Sequence, residues 1–296
     1  MRKKRVITKV TAMLLSFAVV FSMIPGVVFA DEVASSPVTG TTIVSSAAEL
    51  VALGGQEVSG NVELSADIDM IGTAMEPIKS LKGTFEGNGY TVSNLSLSGE
   101  AGSSWKDPNV GLGLIALLDG TVQNLKVDNV KITSSSKSKI YAGAIVGLVE
   151  GTTANVVNCT ASGVVTLPEA STQDGAGGIV GGVLLNGTLN LSGVWSNVDI
   201  TNGKYTGGLL GIAQYAKEIN LENCAAGGDL KVGTGGGIIG WLTSIPVSAK
   251  HVYYGGKISG STKNGFAYNK SYSAQLTAES VYFDSDKNKG SSSWSP

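Results

Sequence analysis

Gly177-Gly178-Ile179-Val180-Gly181, Gly207-Gly208-Leu209-Leu210-Gly211 and Gly236-Gly237-Ile238-Ile239-Gly240 are three copies of one block: two glycines, two aliphatics, one glycine. A looser copy, Gly143-Ala144-Ile145-Val146-Gly147, precedes them, and an eroded one is read at Gly111-Leu112-Gly113-Leu114. The first glycines are spaced by 32, 34, 30 and 29 residues, and Gly265-Phe266-Ala267, 29 further on, reads as a last degraded copy. A fixed period of this size means one supersecondary unit stacked many times. Each period has room for two or three short strands and their turns. The fold class expected is therefore all-β, a parallel β-helix, right-handed by the general rule for parallel crossovers. Within the block, the aliphatic pair is expected to point inward. The glycines are expected either to turn sharply or to approach a neighbour where a Cβ would clash.

Working outward, Val62 to Met70 and Tyr90 to Leu97 alternate apolar and polar residues, as half-buried strands do, and are read as the first rungs. Ahead of them Ser46-Ala47-Ala48-Glu49 fits a capping box, with Ser46 as N-cap and Glu49 reaching back. Leu50, Val51 and Leu53 follow, predicting one short helix that plugs the open end of the stack. Residues 31–40 read as a linker, 41–110 as the N-terminal cap and first rungs, 111–290 as the repeats, and 291–296 as a polar tail. Thr166 to Asp174 and Ser134 to Lys139 carry the extra residues of the two longest periods. They are expected to be protruding loops, the places where function prefers to sit.

Residues 1–30 stand apart. Five basic residues lead into the uncharged run Ala12 to Ile24, and Val28-Phe29-Ala30 offers a small-residue cleavage site. This is the pattern of a secretory signal peptide, with a retained membrane anchor as the alternative. The leader holds 5 of the 21 Lys and Arg and none of the 23 Asp and Glu, leaving 16 against 23. Such an acidic excess excludes nucleic acid and anionic membrane as primary partners. A secreted or cell-surface location follows, for a chain expected to be monomeric. No Leu-Pro-x-Thr-Gly sorting motif is present, so the chain is expected either to be released or to belong to a longer protein.

Leu64-Ser65-Ala66-Asp67-Ile68-Asp69, then Gly83 to Leu95, then the repeated blocks, resemble the GLUG-motif domain family of bacterial exported and surface proteins. The resemblance covers about residues 41 to 290. It implies a parallel β-helix in an adhesin-like context with no settled activity. Some members belong to IgA-cleaving metalloproteases whose separate zinc domain carries His-Glu-x-x-His. With a single histidine this sequence lacks that motif, and the activity is not carried over.

Side chains that could carry chemistry repeat singly along the axis. Cys159, Val194, Cys224 and Val252 fall at one position of successive coils, putting the two cysteines two rungs, about 10 Å, apart, too far for a disulfide. They are read as buried hydrophobes. His251 shares its position with Asn124, Asn158, Gly193 and Asn223 and reads as the end of an Asn ladder. No set of ligands has metal spacing, and no cofactor is expected. The Gly-rich run 175–182 lacks the Gly-Lys-Ser/Thr ending of a phosphate loop. Asp199 and Asp229 should stack on adjacent rungs, the spacing of a retaining glycosidase pair, yet alternation points both outward, where neither would be held protonated. Trp195 and Tyr253 in one column, and Tyr141 and Tyr205 in another, are the candidates for ligand contact.

Two functions compete at this stage. One is a non-catalytic adhesion, glycan-contacting or spacer module, whose partner is an extracellular glycan or a host or cell-surface protein. The other is a carbohydrate-active β-helix enzyme, either polysaccharide lyase or hydrolase. The scattered lysines Lys137, Lys139, Lys204, Lys231 and Lys257 argue for the first.

Overall fold

The computed structural model describes residues 37–99, 111–135, 139–168, 175–269 and 275–288. The signal-type leader, most of the linker, the polar tail and the tips of both long loops lie outside the described residues.

The chain winds as a parallel β-helix. Eight strands, from Glu57–Val58 through Val146–Glu150 and Val180–Leu184 to Ala267–Asn269, form one sheet in sequence order. A second, twenty-stranded sheet covers the remaining sides, with strands such as Trp195–Gly207 running through its bends. Every pairing within the two sheets is parallel and joins one coil to the next, for example Val146 with Val180 and Val180 with Leu210. The class read from the period is what the chain adopts.

The inward residues of one coil show why it stacks. Ile179, Val180, Val183, Leu189, Leu191, Val194, Val198 and Ile200 are all at most 1% exposed and belong to one continuous core. Burying an aliphatic side chain of this size contributes about 1.5–3 kcal/mol. A single coil has no partner face for this surface, and only stacking closes it.

The aliphatic pairs Ile145-Val146, Ile179-Val180, Leu209-Leu210 and Ile238-Ile239 point into this core, as expected. Between the two roles left open for the block glycines, the structure chooses close approach: none of the block glycines has positive φ. A Cβ on Gly177 would lie 2.0 Å from the Val180 carbonyl oxygen and 2.7 Å from the Gly211 nitrogen. The first glycine of each block thus touches the third glycine of the next coil. The second glycine approaches the second glycine of the next coil as closely, with 2.2 Å from a Cβ on Gly178 to the Gly208 carbonyl oxygen, and has a further duty. A Cβ on Gly237 would fall 2.5 Å from the Tyr254 ring, and one on Gly265 would fall 2.5 Å from the Phe283 ring. At that level these glycines make room inside the coil for a side chain from the opposite wall.

Register corrects the two eroded copies by small shifts. Leu112 pairs with Ala142, so Gly113 rather than Gly111 stands beside Gly143. At the other end Gly236 pairs with Asn264, which puts Gly265 in the column of second glycines. Contact with the next coil, and not the first Gly of a run, defines the repeat position.

The N-terminal end also differs in detail. The helix Ala47–Ala52 forms with Ser46 as N-cap, and it buries Leu50 and Leu53 in the core. The Glu49 carboxylate reaches one residue further back than a capping box requires, accepting from the Ser45 N–H at 2.7 Å and its hydroxyl at 2.9 Å. Thr41–Val44 is an earlier rung that alternation did not reveal, paired with Asn61–Leu64. Val38, read as linker, bridges Val58. The two long alternating runs are each broken in two. Asn61–Leu64 and Ile68–Asp69 flank a corner, and Thr91–Ser93 and Ser96–Ser98 flank Asn94, whose φ is 58°. Alternation continues across such a corner because the inside of a coil stays the inside.

Corners on the second sheet fall at Asn124, Asn158, Gly193, Asn223, His251 and Ser280, with φ between 51° and 64°. Left-handed backbone suits Gly and Asn and disfavours most side chains. Backbone conformation therefore explains the Asn column more directly than side-chain bonding does. Amides still link some of its members. Asn158 Nδ2 donates to Asn124 Oδ1 at 3.4 Å, and His251 Nδ1 lies 3.0 Å from Asn223 Oδ1, while Gly193 interrupts the series. The continuous ladder stands three residues earlier in each coil: Asn220 donates to Asn190 at 3.0 Å, Asn190 to Asn155 at 2.8 Å, and Asn155 to the Thr121 hydroxyl at 3.2 Å.

Candidate functional site

The eight-stranded sheet is one side of the coil, and strands such as Thr188–Ser192 before the corner are the second. The stretch after the corner, as at the start of Trp195–Gly207, is a third side, whose outward positions form straight columns because each residue pairs with its equivalent one coil on. One column reads Thr91, Lys126, Thr160, Trp195, Ala225, Tyr253, Tyr282. Trp195, Tyr253 and Tyr282 are 55%, 46% and 65% exposed, which sets them among the few large hydrophobics that face solvent. Strand alternation forces this, since Val194 and Ser196 flank Trp195 and both are buried. Sequence reading placed Trp195 and Tyr253 together; Tyr282 joins them because the last strand, Leu276–Phe283, pairs it with Tyr253.

Beside the aromatic column runs a polar one: Ser93, Asp128, Ser162 and Asn197. A cavity of about 310 Å³ opens where the two columns meet, lined by Lys126, Asp128, Thr160, Ser162, Trp195 and Asn197 among others. The Ser162 hydroxyl donates to the Asp128 carboxylate and accepts from the Asn129 N–H at 3.1 Å. Asp128 and Ser162 are thereby held in place while staying open to the cavity. The site lies on a strand face, while the tips of the two long loops lie outside the described residues. Its polar members were missed because Ser, Asp and Asn at outward positions look like ordinary solvated residues.

Tyr141 and Tyr205 do share a column, with Gly175 between them, and burial corrects the expectation of ligand contact at Tyr141. Tyr141 is 1% exposed and packs with Leu148, Leu184 and Ile212 in a second small hydrophobic cluster. Its ring lies over Gly182, where a Cβ would come within 2.6 Å. Tyr205 stacks on Trp241, with centroids 4.6 Å apart and planes 16° apart. Tyr141 thus serves packing, while Tyr205 and Trp241 form a half-buried pair against the same cluster.

Asp199 and Asp229 are adjacent, as the period requires, and their role is visible. The Asp199 carboxylate accepts from the Asp229 N–H at 2.8 Å, and that of Asp229 accepts from the Lys257 N–H at 2.9 Å. Each ties one coil to the next. Cys159 and Cys224 are free and buried, with Val194 between them in the column. Burial pushes both thiols up to about 11. Among the described residues no group of three His, Cys, Asp or Glu side chains is placed to hold a metal ion, and no helix is long and apolar enough to cross a membrane.

No family model matches the chain. Over 116 residues, 38% of its length, it is 37% identical to Halomucin of Haloquadratum walsbyi (strain DSM 16790 / HBSQ001). Those residues span only 1% of that very long protein. Among solved structures, a candidate immunoglobulin A1 protease from Bacteroides ovatus is similar with a TM-score of 0.61, over 84% of this chain and 76% of that one. At 18% identity the likeness is one of fold.

Proposed function

We propose that this chain is an exported, non-catalytic β-solenoid that acts as a ligand-contacting module of a bacterial surface protein. The exposed column of Trp195, Tyr253 and Tyr282 carries the reading. A soluble protein gains nothing in stability from aromatic faces left in water, whereas binding surfaces are enriched in them. Similarity to a short part of Halomucin, a protein named as a mucin, supports an extracellular setting, as do the signal-type leader and the GLUG-like motif order. Against a glycosidase role for Asp199 and Asp229, both carboxylates face solvent and each spends one oxygen on a backbone N–H of the following coil, so neither is held protonated by burial.

The test is adhesion of the purified protein to isolated cell envelopes and extracellular matrix material, compared with a Trp195→Ala/Tyr253→Ala double variant. Retention lost in the double variant, with its β-sheet circular dichroism intact, is the expected result. Turnover of a polysaccharide that disappears in Asp199→Asn or Asp229→Asn would replace this reading with the enzyme one.

A further inference from the structure

The cavity at the head of the aromatic column narrows the ligand class, provided that the column is the contact surface proposed above. We infer that this surface binds a linear, uncharged polysaccharide lying along the solenoid axis, with one sugar unit seated in the cavity against Trp195.

A sugar ring has an apolar C–H face and a rim of hydroxyls that both donate and accept. The cavity supplies both complements. Trp195 forms an aromatic wall, and Lys126 brings donors. Asp128 brings acceptors, the Thr160 hydroxyl and the Asn197 amide bring both kinds, and Ser162, whose proton is given to Asp128, adds an acceptor. At about 310 Å³ the cavity is at the small end of ligand sites, suited to a sugar unit or two and not to a protein loop.

Charge decides which sugars fit. Among the described residues, Lys126 and Asp128 are the only charged ones lining the cavity, and they stand two positions apart on one strand, facing the same way. A uronate or sulfated sugar bonded to Lys126 would bring its anion close to Asp128. An amino sugar bonded to Asp128 would meet Lys126. The acidic excess of 23 over 16 outside the leader opposes polyanions further. A neutral sugar satisfies both groups.

The rest of the column gives the chain its direction. Five rung steps of about 4.8 Å separate Lys126 from Tyr282, a run of ~24 Å parallel to the axis. Ala225, between Trp195 and Tyr253, keeps the run unobstructed. The Tyr253 ring lies against Gly255, where a Cβ would come within 2.8 Å of it, and the side chain keeps about half its surface open to a ligand.

Affinity electrophoresis of the whole protein tests this, with gels containing neutral polymers (galactomannan, xylan, mixed-linkage glucan) or anionic ones (polygalacturonate, alginate). Retardation is expected in at least one neutral gel and in neither anionic one. Trp195→Ala should weaken it about tenfold, and Tyr253→Ala and Lys126→Met several-fold each. Binding should tighten with oligosaccharide length from the monosaccharide upward. Preference for the anionic gels, weakened by Trp195→Ala, would overturn the neutral class and leave the aromatic surface standing. Retardation in a neutral gel that Trp195→Ala does not change would overturn the surface itself, and no retardation in any gel would overturn the polysaccharide inference.

Discussion

At the scale of single residues, this protein depends on atoms that are absent. Gly237 faces the Tyr254 ring across the inside of its coil, and the Tyr254 hydroxyl donates to the Gly228 carbonyl at 3.0 Å. Gly237→Ala would press both on that ring and on the Gly265 carbonyl oxygen, 2.3 Å from the new Cβ, and overpacking of this kind costs about 1–3 kcal/mol. Gly237→Val and Gly208→Val should cost more, since each adds two methyl groups to a Cβ already within 2.4 Å of a carbonyl oxygen of the next coil. Thermal unfolding followed by circular dichroism checks the order Gly237→Ala, then either valine; undiminished stability would contradict it. The buried thiols give a second test. Their folded values near 11 exceed the ordinary thiol value of 9.0, so full stability is kept below about 9. It is lost between about 9 and 11, as the unfolded chain ionises first. Cys159→Val/Cys224→Val repeats the residue that already occupies the column at Val194 and Val252. Urea titrations at pH 8 and pH 10 should show the alkaline loss shrinking in that variant. Neither native thiol should react with iodoacetamide at pH 8 until the protein is denatured.

At the scale of the element, the corner is what sequence alone described least completely. The column of Asn124, Asn158, Gly193, Asn223 and His251 was legible from the period, but its cause was not, because φ leaves no mark on a sequence beyond a taste for Asn and Gly. The true ladder of Asn155, Asn190 and Asn220 was equally visible at the same spacing and passed over, since outward Asn is common in turns. His251→Asn should be neutral or slightly stabilising, for Asn takes left-handed backbone at least as readily. Asn190→Leu should destabilise by about 1–2 kcal/mol, because it strips one bond from each side of the ladder. Both are measured as shifts in denaturant midpoint. The inward aliphatics and the strand faces were predictable for a plain reason: hydrophobic periodicity records which side is buried. Tyr141 was misread because that rule treats every outward position as wet, and here two outward faces close on each other around Leu148 and Ile212.

For the whole molecule, stability is a sum over neighbouring coils. Gly177 and Gly207 occupy equivalent positions, so deleting residues 178–207 joins like to like. The shortened protein should stay folded, with the same sheet signature and a lower melting temperature. Collapse into an unfolded chain would mean that this coil is not interchangeable with its neighbours.

The outward column of the third side has a consequence for how such a surface can change. Its successive residues, Lys126, Thr160, Trp195, Ala225, Tyr253 and Tyr282, differ in size, charge and shape, while Val127, Ala161, Ser196, Ala226 and Tyr254 beside them point inward and must fit a shared interior. A replacement on the outside is felt by the ligand and hardly at all by the scaffold. The surface can therefore be rewritten one rung at a time, like movable type held in a fixed frame, and Ala225 is the blank where a further aromatic could be set.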